Sequence, residues 1–283
     1  MNLSNKIFVT IVLYKTKLED SRTIHSLSSF INQSIDIFVF DNSPIAQYDK
    51  NSFIYDKFNV TYCSNIFNPG LAVAYNEALS LALLNNRKWI LLLDQDTLLT
   101  PEYLEELKSI NLDDFSTQVV AIIPRVFSLN NNSISPSKMF VGGICRPVNL
   151  PDGLVKSSIT GINSGTLLRV EYMNSINGFC LDFPLDMLDH WYFRKIFKDG
   201  KFVFLMKSSI EQDLSVSNNF ENNISFDRYK MMLNSEYLFI REQGFFGKVI
   251  FRLRLFLKII KQIRFKNVNY YKYSLNRIFS NFK

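Results

Sequence analysis

The sequence predicts an α/β protein whose core is a doubly wound, mostly parallel sheet flanked by helices, followed by a basic helical extension. Three observations carry this expectation. Apolar runs rich in β-branched and aromatic residues alternate with segments of helical periodicity from Lys6 onward. Two of these runs end in aspartates, Asp41 in one and Asp94 with Asp96 in another, where parallel sheets of this kind place their ligands. With 283 residues, 47% of them hydrophobic and 20% charged, the chain is long enough to bury a substantial core.

The elements follow in order. "KIFVTIVLY" (6–14) reads as a first strand, "EDSRTIHSLSSFINQ" (19–33) as a helix, "IDIFVFDNS" (35–43) as a second strand and "NVTYCSN" (59–65) as a third. "GLAVAYNEALSLALLNNR" (70–87) has apolar residues at helical spacing, and "KWILLLDQD" (88–96) is a fourth strand. Thr100 then caps a helix, with Pro101 at its first position and Glu102 in its first turn. The Asn-rich "SLNNNSISPS" (128–137) reads as a loop, and "SFDRYKMMLNSEYLFIRE" (225–242) as a further helix. A domain over 1–235 and an extension over 236–283 are expected.

Charge separates these two parts. Ten of the 32 basic residues, and none of the 26 acidic ones, lie beyond Glu242; the first 242 residues therefore carry 22 basic against 26 acidic side chains, a net −4. No run reaches the ~18 apolar residues of a spanning helix, and the N-terminal run has no small-residue cleavage site. A cytoplasmic protein is expected. Cys63, Cys145 and Cys180 are odd in number and far apart, which fits reduced thiols.

"DQD" (94–96) holds two carboxylates one residue apart at a strand end. They either share a hard divalent cation, Mg²⁺ or Mn²⁺, or cap local backbone amides in a turn. Asn68, Gly70 and Asn76 likewise admit two readings. "NPG" is a turn before a helix, and the start of that helix has amides suited to an anion.

As an ordered set, these motifs resemble family 2 glycosyltransferases of the GT-A fold, and among them the rhamnosyltransferase-like members. The set comprises "VTIVLYK" ending near Tyr14, "FDNS", "NPGLAVAYN", "DQD", "INSGTLLRVEYMNSINGF" (162–179) and "FPLDMLDHWYFRKIF" (183–197), and the resemblance covers about residues 6–235. It implies an inverting transferase that takes a sugar from a nucleoside diphosphate, dTDP-L-rhamnose being favoured and UDP-hexoses or UDP-N-acetylhexosamines the alternative. A non-catalytic sugar-nucleotide or membrane-binding module is the reading from another class. On the resemblance, Asp94 and Asp96 hold the cation and nucleotide, with Gln95 between them, and Asp41 contacts the nucleoside; a strand-end turn with Asn42 and Ser43 is the other reading of Asp41. Tyr14, Asn68, Gly70 and Asn76 line the donor site.

The resemblance places the general base at Asp189, which would take the proton of the acceptor hydroxyl; Asp182 is the competitor. With a helix beginning near Asp186, Asp186 and Asp189 lie on one face, Asp186 as cap and Asp189 as base. Arg194 either orients Asp189, pairs with the diphosphate or is a surface residue. His190 and Trp191 adjoin the acceptor side, with structural roles as their alternatives. One departure concerns the metal shell. Where many relatives carry a histidine, "SSIEQDLSVSN" (208–218) places Gln212, so that either Asp213 or Glu211 substitutes or the metal is held mainly by Asp96 and the diphosphate.

Beyond Glu242, Phe245, Val249, Leu253, Phe256, Ile260 and Ile263 recur at spacings of three and four as one apolar stripe, with Arg254, Lys258 and Lys261 expected opposite. Residues 245–264 thus suit an anionic membrane surface at the inner face of the cell membrane, where lipid-linked or oligosaccharide acceptors of bacterial surface polysaccharide would be met. A helix docked on the core and a nucleic-acid contact are the other readings; no nucleic-acid partner is expected.

Overall fold

A computed structural model describes residues 6–30, 35–49, 55, 58–212, 224–264 and 268–280. The chain runs β1 (Ile7–Leu13), α1 (Arg22–Phe30), β2 (Asp36–Asp41), β3 (Asn59–Ser64), α2 (Leu71–Leu84), β4 (Trp89–Asp94), β5 (Thr97–Leu99), α3 (Pro101–Ser109) and β6 (Val119–Ser128). It continues with β7 (Ser133–Ser135), β8 (Ser137–Phe140), β9 (Ile144–Pro147), β10 (Gly153–Val155), β11 (Thr166–Arg169), α4 (Val170–Ser175), α5 (Leu188–Lys198) and β12 (Phe202–Gln212). Three helices follow: α6 (Phe226–Arg241), α7 (Phe245–Arg264) and α8 (Val268–Phe279).

One sheet is ordered β10-β12-β6-β11-β4-β1-β2-β3, with β5 added to β12 and β7 to β6. β1 to β4 are parallel to one another, as the strand–helix alternation predicts. β11 enters antiparallel between β4 and β6, so the sheet is mixed. Register sets the stage for the site: Leu13 of β1 lies opposite Asp41 of β2, and Val12 lies opposite Asp94 of β4. The two aspartates therefore end level on either side of β1.

Burial follows the sequence pattern. All seven residues of β1 are buried, as expected of a strand covered on both faces. The small residues Ala72, Ala74, Ala78 and Ala82 are fully buried on α2 and allow its backbone to lie close to its neighbours. Thr100 accepts a hydrogen bond from the Tyr103 amide at 3.2 Å, and Pro101 is the first residue of α3, so the sequence-predicted cap is present. The Asn-rich segment is more regular than a loop: β7 pairs antiparallel with β6.

The described chain forms two compact units, one from Met1–Ser137, Pro147–Pro184 and Leu188–Asp213, the other from Lys138–Arg146, Leu185–Met187 and Leu214–Lys283. The division falls earlier than residue 235, because α6 makes its contacts with the C-terminal helices. Within the second unit, Ser225 caps α6 by accepting from the Arg228 amide at 3.2 Å. A buried ring of hydrogen bonds joins Tyr229, Gln262 and Ser274, one residue from each of α6, α7 and α8. Every polar atom in that ring has a partner, which fixes the register of the three helices.

Gly70 marks the entry to α2 at φ +92°, where an added Cβ would lie 2.3 Å from the Pro184 carbonyl oxygen. Gly70→Ala is therefore expected to lower the unfolding free energy by about 2 kcal/mol, through backbone strain and a clash with backbone that cannot move aside. Urea denaturation measures this.

Candidate active site

The site is built on the turn that leaves β4. Thr23 Oγ1 donates to the carbonyls of Asp94 and Thr97, and Ser21 Oγ donates to the Gln95 carbonyl at 2.8 Å. From the other side, Ser164 Oγ accepts the Asp94 amide at 3.1 Å and pairs with Thr97 Oγ1. Gln95 is a clamp: its Oε1 accepts the Tyr14 amide at 2.7 Å, and its Nε2 donates to the Tyr14 carbonyl at 3.2 Å. The ends of β1 and β4 are thereby locked together, leaving the half-buried Asp94 and Asp96 side chains beside them.

Electrostatics draw a small group together here. Burial first, and then the charge of Asp96, pushes the Asp94 carboxyl up to about 6; Asp189 adds to the rise, while hydrogen bonds from Ser164 and Gln212 oppose it. Gln212 Nε2 donates to Asp94 Oδ2 at 3.1 Å, so the residue that departs from the expected histidine does reach the carboxylate pair. Its Oε1 is buried with no hydrogen-bond partner among the described residues. Tyr75, fully buried on α2, lies in the field of both Asp94 and Asp189; burial, then those two charges, hold its phenol well above its usual range. Its hydroxyl lies close enough to the Asp94 carboxylate for a hydrogen-bonding contact to add to that rise, although it makes no bond of full geometry among the described residues. Asp189 stands in the first turn of α5, and its Oδ1 accepts the His190 amide at 2.7 Å.

Several expected donor contacts are used otherwise. Asp41 is fully buried, and its carboxylate accepts from the Ser43 amide at 2.8 Å, the Gln47 amide at 2.8 Å and the Tyr62 hydroxyl at 2.6 Å. It builds its own strand-end turn, in which Ser43 takes part. Asn76 is engaged at both ends: Nδ2 donates to the Phe179 carbonyl at 2.9 Å, and Oδ1 accepts the Phe179 amide at 2.7 Å. The first amides of α2 are not open to an anion, because those of Leu71 and Ala72 donate to the Pro184 carbonyl at 2.6 and 3.3 Å. Asn68, at φ +47°, is exposed in the turn before Gly70.

On the acceptor side, α5 begins only at Leu188, after Met187 at φ +64°. Asp186 therefore precedes the helix and does not share its face; its carboxylate is gripped by both terminal nitrogens of Arg228 within the second unit. Arg194 sits five residues beyond Asp189 on α5 and is half-buried. Trp191 is half-buried, its ring 6.5 Å from that of Tyr192. Asp213 lies outside the described residues, and Glu211 is half-buried on β12 beside Gln212. Among the described residues, no three His, Cys, Asp or Glu side chains are grouped to hold a metal.

Sequence reasoning missed Ser21, Thr23, Ser164 and Tyr75. Ser164 and Tyr75 carried a signal, their places in the Ser-Gly stretch and in "NPGLAVAYN"; Ser21 and Thr23 act through partners distant in sequence.

Two outcomes follow for the metal-free protein. Asp94 has a folded-state value above its unfolded one, so its ionisation costs stability as pH rises from about 4 to about 6; Asp94→Asn should gain on wild type across that window and hold the gain above it, read by urea denaturation in EDTA. Tyr75→Phe should change the unfolding free energy by less than about 1 kcal/mol, because Asp94, the group beside its hydroxyl, keeps its bonds from Ser164 and Gln212.

The family model "Glycosyl transferase family 2" matches residues 11–173, more than half of the chain. A search of curated protein sequences returns no match. Among solved structures, the chain is similar to S. aureus TarS 1-349 at 14% identity and TM-score 0.51, covering 95% of this chain and 90% of that one. Full TarS gives TM-score 0.55 at 14% identity, with 55% of its length covered. GalNAc-T7, solved with UDP, GalNAc and Mn²⁺, gives TM-score 0.53 at 11% identity, covering 81% of this chain and 47% of that one. These likenesses show a shared GT-A glycosyltransferase fold, and with the match over 11–173, the chain belongs to glycosyl transferase family 2.

Proposed function

We propose that the protein is an inverting glycosyltransferase in which Asp189 activates the acceptor and the end of β4 holds the donor diphosphate. The observation that carries the reading is that the charges of Asp96 and Asp189 both act on the Asp94 carboxylate at the C-terminal end of β4, where a parallel sheet presents its ligands. In the proposed step the acceptor oxygen bonds to the anomeric carbon as its proton passes to Asp189. The bond to the diphosphate breaks on the opposite face, and the nucleoside diphosphate leaves with the electron pair.

The residues present fit a hard divalent cation, Mg²⁺ or Mn²⁺. Asp94 and Asp96 repel each other, and the buried, unpartnered Gln212 Oε1 adds a neutral oxygen donor, leaving positions for phosphate oxygens. Such an ion would neutralise charge developing on the leaving diphosphate. In the absence of substrate, Gln212 and Ser164 restrain Asp94, while the hydroxyl of Tyr75 stands ready to donate to an oxygen brought beside it.

Two donors compete. The sequence resemblance supports dTDP-L-rhamnose; a UDP-N-acetylhexosamine draws support from the similar TarS 1-349, solved with UDP and with UDP-GlcNAc. The proposed acceptor is a lipid-linked or other oligosaccharide of a bacterial surface polysaccharide, O-antigen or capsule, met at the inner face of the cell membrane.

Asp189→Asn is expected to lower kcat by about 10²- to 10⁴-fold while leaving donor affinity within a factor of about two. Steady-state kinetics with the donor's own binding constant checks this. Undiminished transfer would remove Asp189 from the base position and turn attention to Asp182. A product whose anomeric configuration is retained, read by NMR, would exclude direct displacement.

A further inference from the structure

The helix α7 carries two apolar rows. Phe251, Leu255 and Ile259 are 2–4% exposed and face its own unit. The row expected from the sequence is the outer one: Phe245, Leu253, Phe256, Ile260 and Ile263 are 48–75% exposed, joined by Leu257. From Phe245 to Ile263 this row is about 27 Å long at 1.5 Å per residue. The three cations lie across the helix from the centre of that row. Arg254, Lys258 and Lys261 gather with Glu236 around a groove of about 340 Å³ floored by Phe251 and Leu255. Arg254 donates to the Gly142 carbonyl, and the Lys258 ammonium stands 4.8 Å from the centre of the Tyr229 ring, so two of the three are held at the groove.

We propose that the outer row of α7 lies in the acyl boundary of an anionic bilayer, and that the groove beside it receives a phospholipid phosphate between Arg254, Lys258 and Lys261. Charge complementarity selects this occupant. No acidic residue occurs after Glu242, against ten basic ones, so a second copy seated on the same row about a two-fold axis would bring like charges together. An anionic surface neutralises them, and the bulk of the exposed row supplies apolar area. The inference gives the membrane reading a face and a headgroup site, and it holds whether or not the protein transfers a sugar.

The test is co-sedimentation of the full chain with phosphatidylcholine vesicles and with vesicles in which phosphatidylglycerol replaces part of that lipid, without donor or acceptor. Wild type should bind the anionic vesicles and leave the neutral ones. Leu253→Glu with Ile260→Glu, both exposed and outside the catalytic site, should lose about tenfold or more in partitioning while keeping the wild-type circular dichroism and thermal transition. Lys261→Gln should lose about fivefold. Four results overturn the proposal: equal binding to neutral vesicles, unchanged binding of the Leu253/Ile260 variant, competition by millimolar inorganic phosphate, and a wild-type dimer on sedimentation equilibrium that becomes monomeric in that variant. Loss of vesicle binding with transfer to a soluble acceptor intact would separate this face from the catalytic reading.

Discussion

Like charge held at one strand end is the constraint around which the first unit is arranged. Burial raises the Asp94 carboxyl most, and the charges of Asp96 and Asp189 raise it further. Left to itself such a turn would splay apart. Thr23 and Ser21 hold its carbonyls, Gln95 ties it to Tyr14, and Ser164 takes the Asp94 amide. The scaffold thus meets the cost of a site that a cationic ligand or a bound diphosphate complex would relieve, a common pattern where activity competes with stability.

The same reasoning separates residues that build the site from those that present chemistry. Asp41, Asn76 and Gln95 are polar residues in family motifs, yet Asn76 and Gln95 bond to backbone and Asp41 to two backbone amides and the Tyr62 hydroxyl. Asp94, Asp96, Asp189, Gln212 and Tyr75 are left at the carboxylate cluster. Asn76 shows why a motif needs both descriptions: its side chain grips Phe179, whose ring lies 5.3 Å from that of Tyr75, and so supports the tyrosine that faces the carboxylates.

Much of the fold was legible because its first half is written locally. The runs ending at Leu13, Asp41, Ser64 and Asp94 are strands, and the cap at Thr100 is where Thr-Pro predicts it. The antiparallel entry of β11 was not legible, since pairing order is set by chain-distant contacts. Gln212 falls on Asp94 as the family count expects, although the two are 118 residues apart. The amides of α2 were misjudged for the corresponding reason: their partner, the Pro184 carbonyl, lies far along the chain. In α7, the row of Leu253 and Ile260 was visible, but the row that packs was not, because both have helical spacing and only tertiary contact distinguishes them.

The central claim is that the carboxylates ending β4 hold a donor diphosphate together with a cation. Calorimetric titration of wild type and Asp96→Ala with dTDP-L-rhamnose, UDP-glucose, UDP-galactose and UDP-GlcNAc, each with and without Mn²⁺, tests it most directly. Binding of one donor that requires Mn²⁺ and disappears in Asp96→Ala is the predicted result. Equal affinity in the variant, or no binding of any donor under either condition, would contradict it.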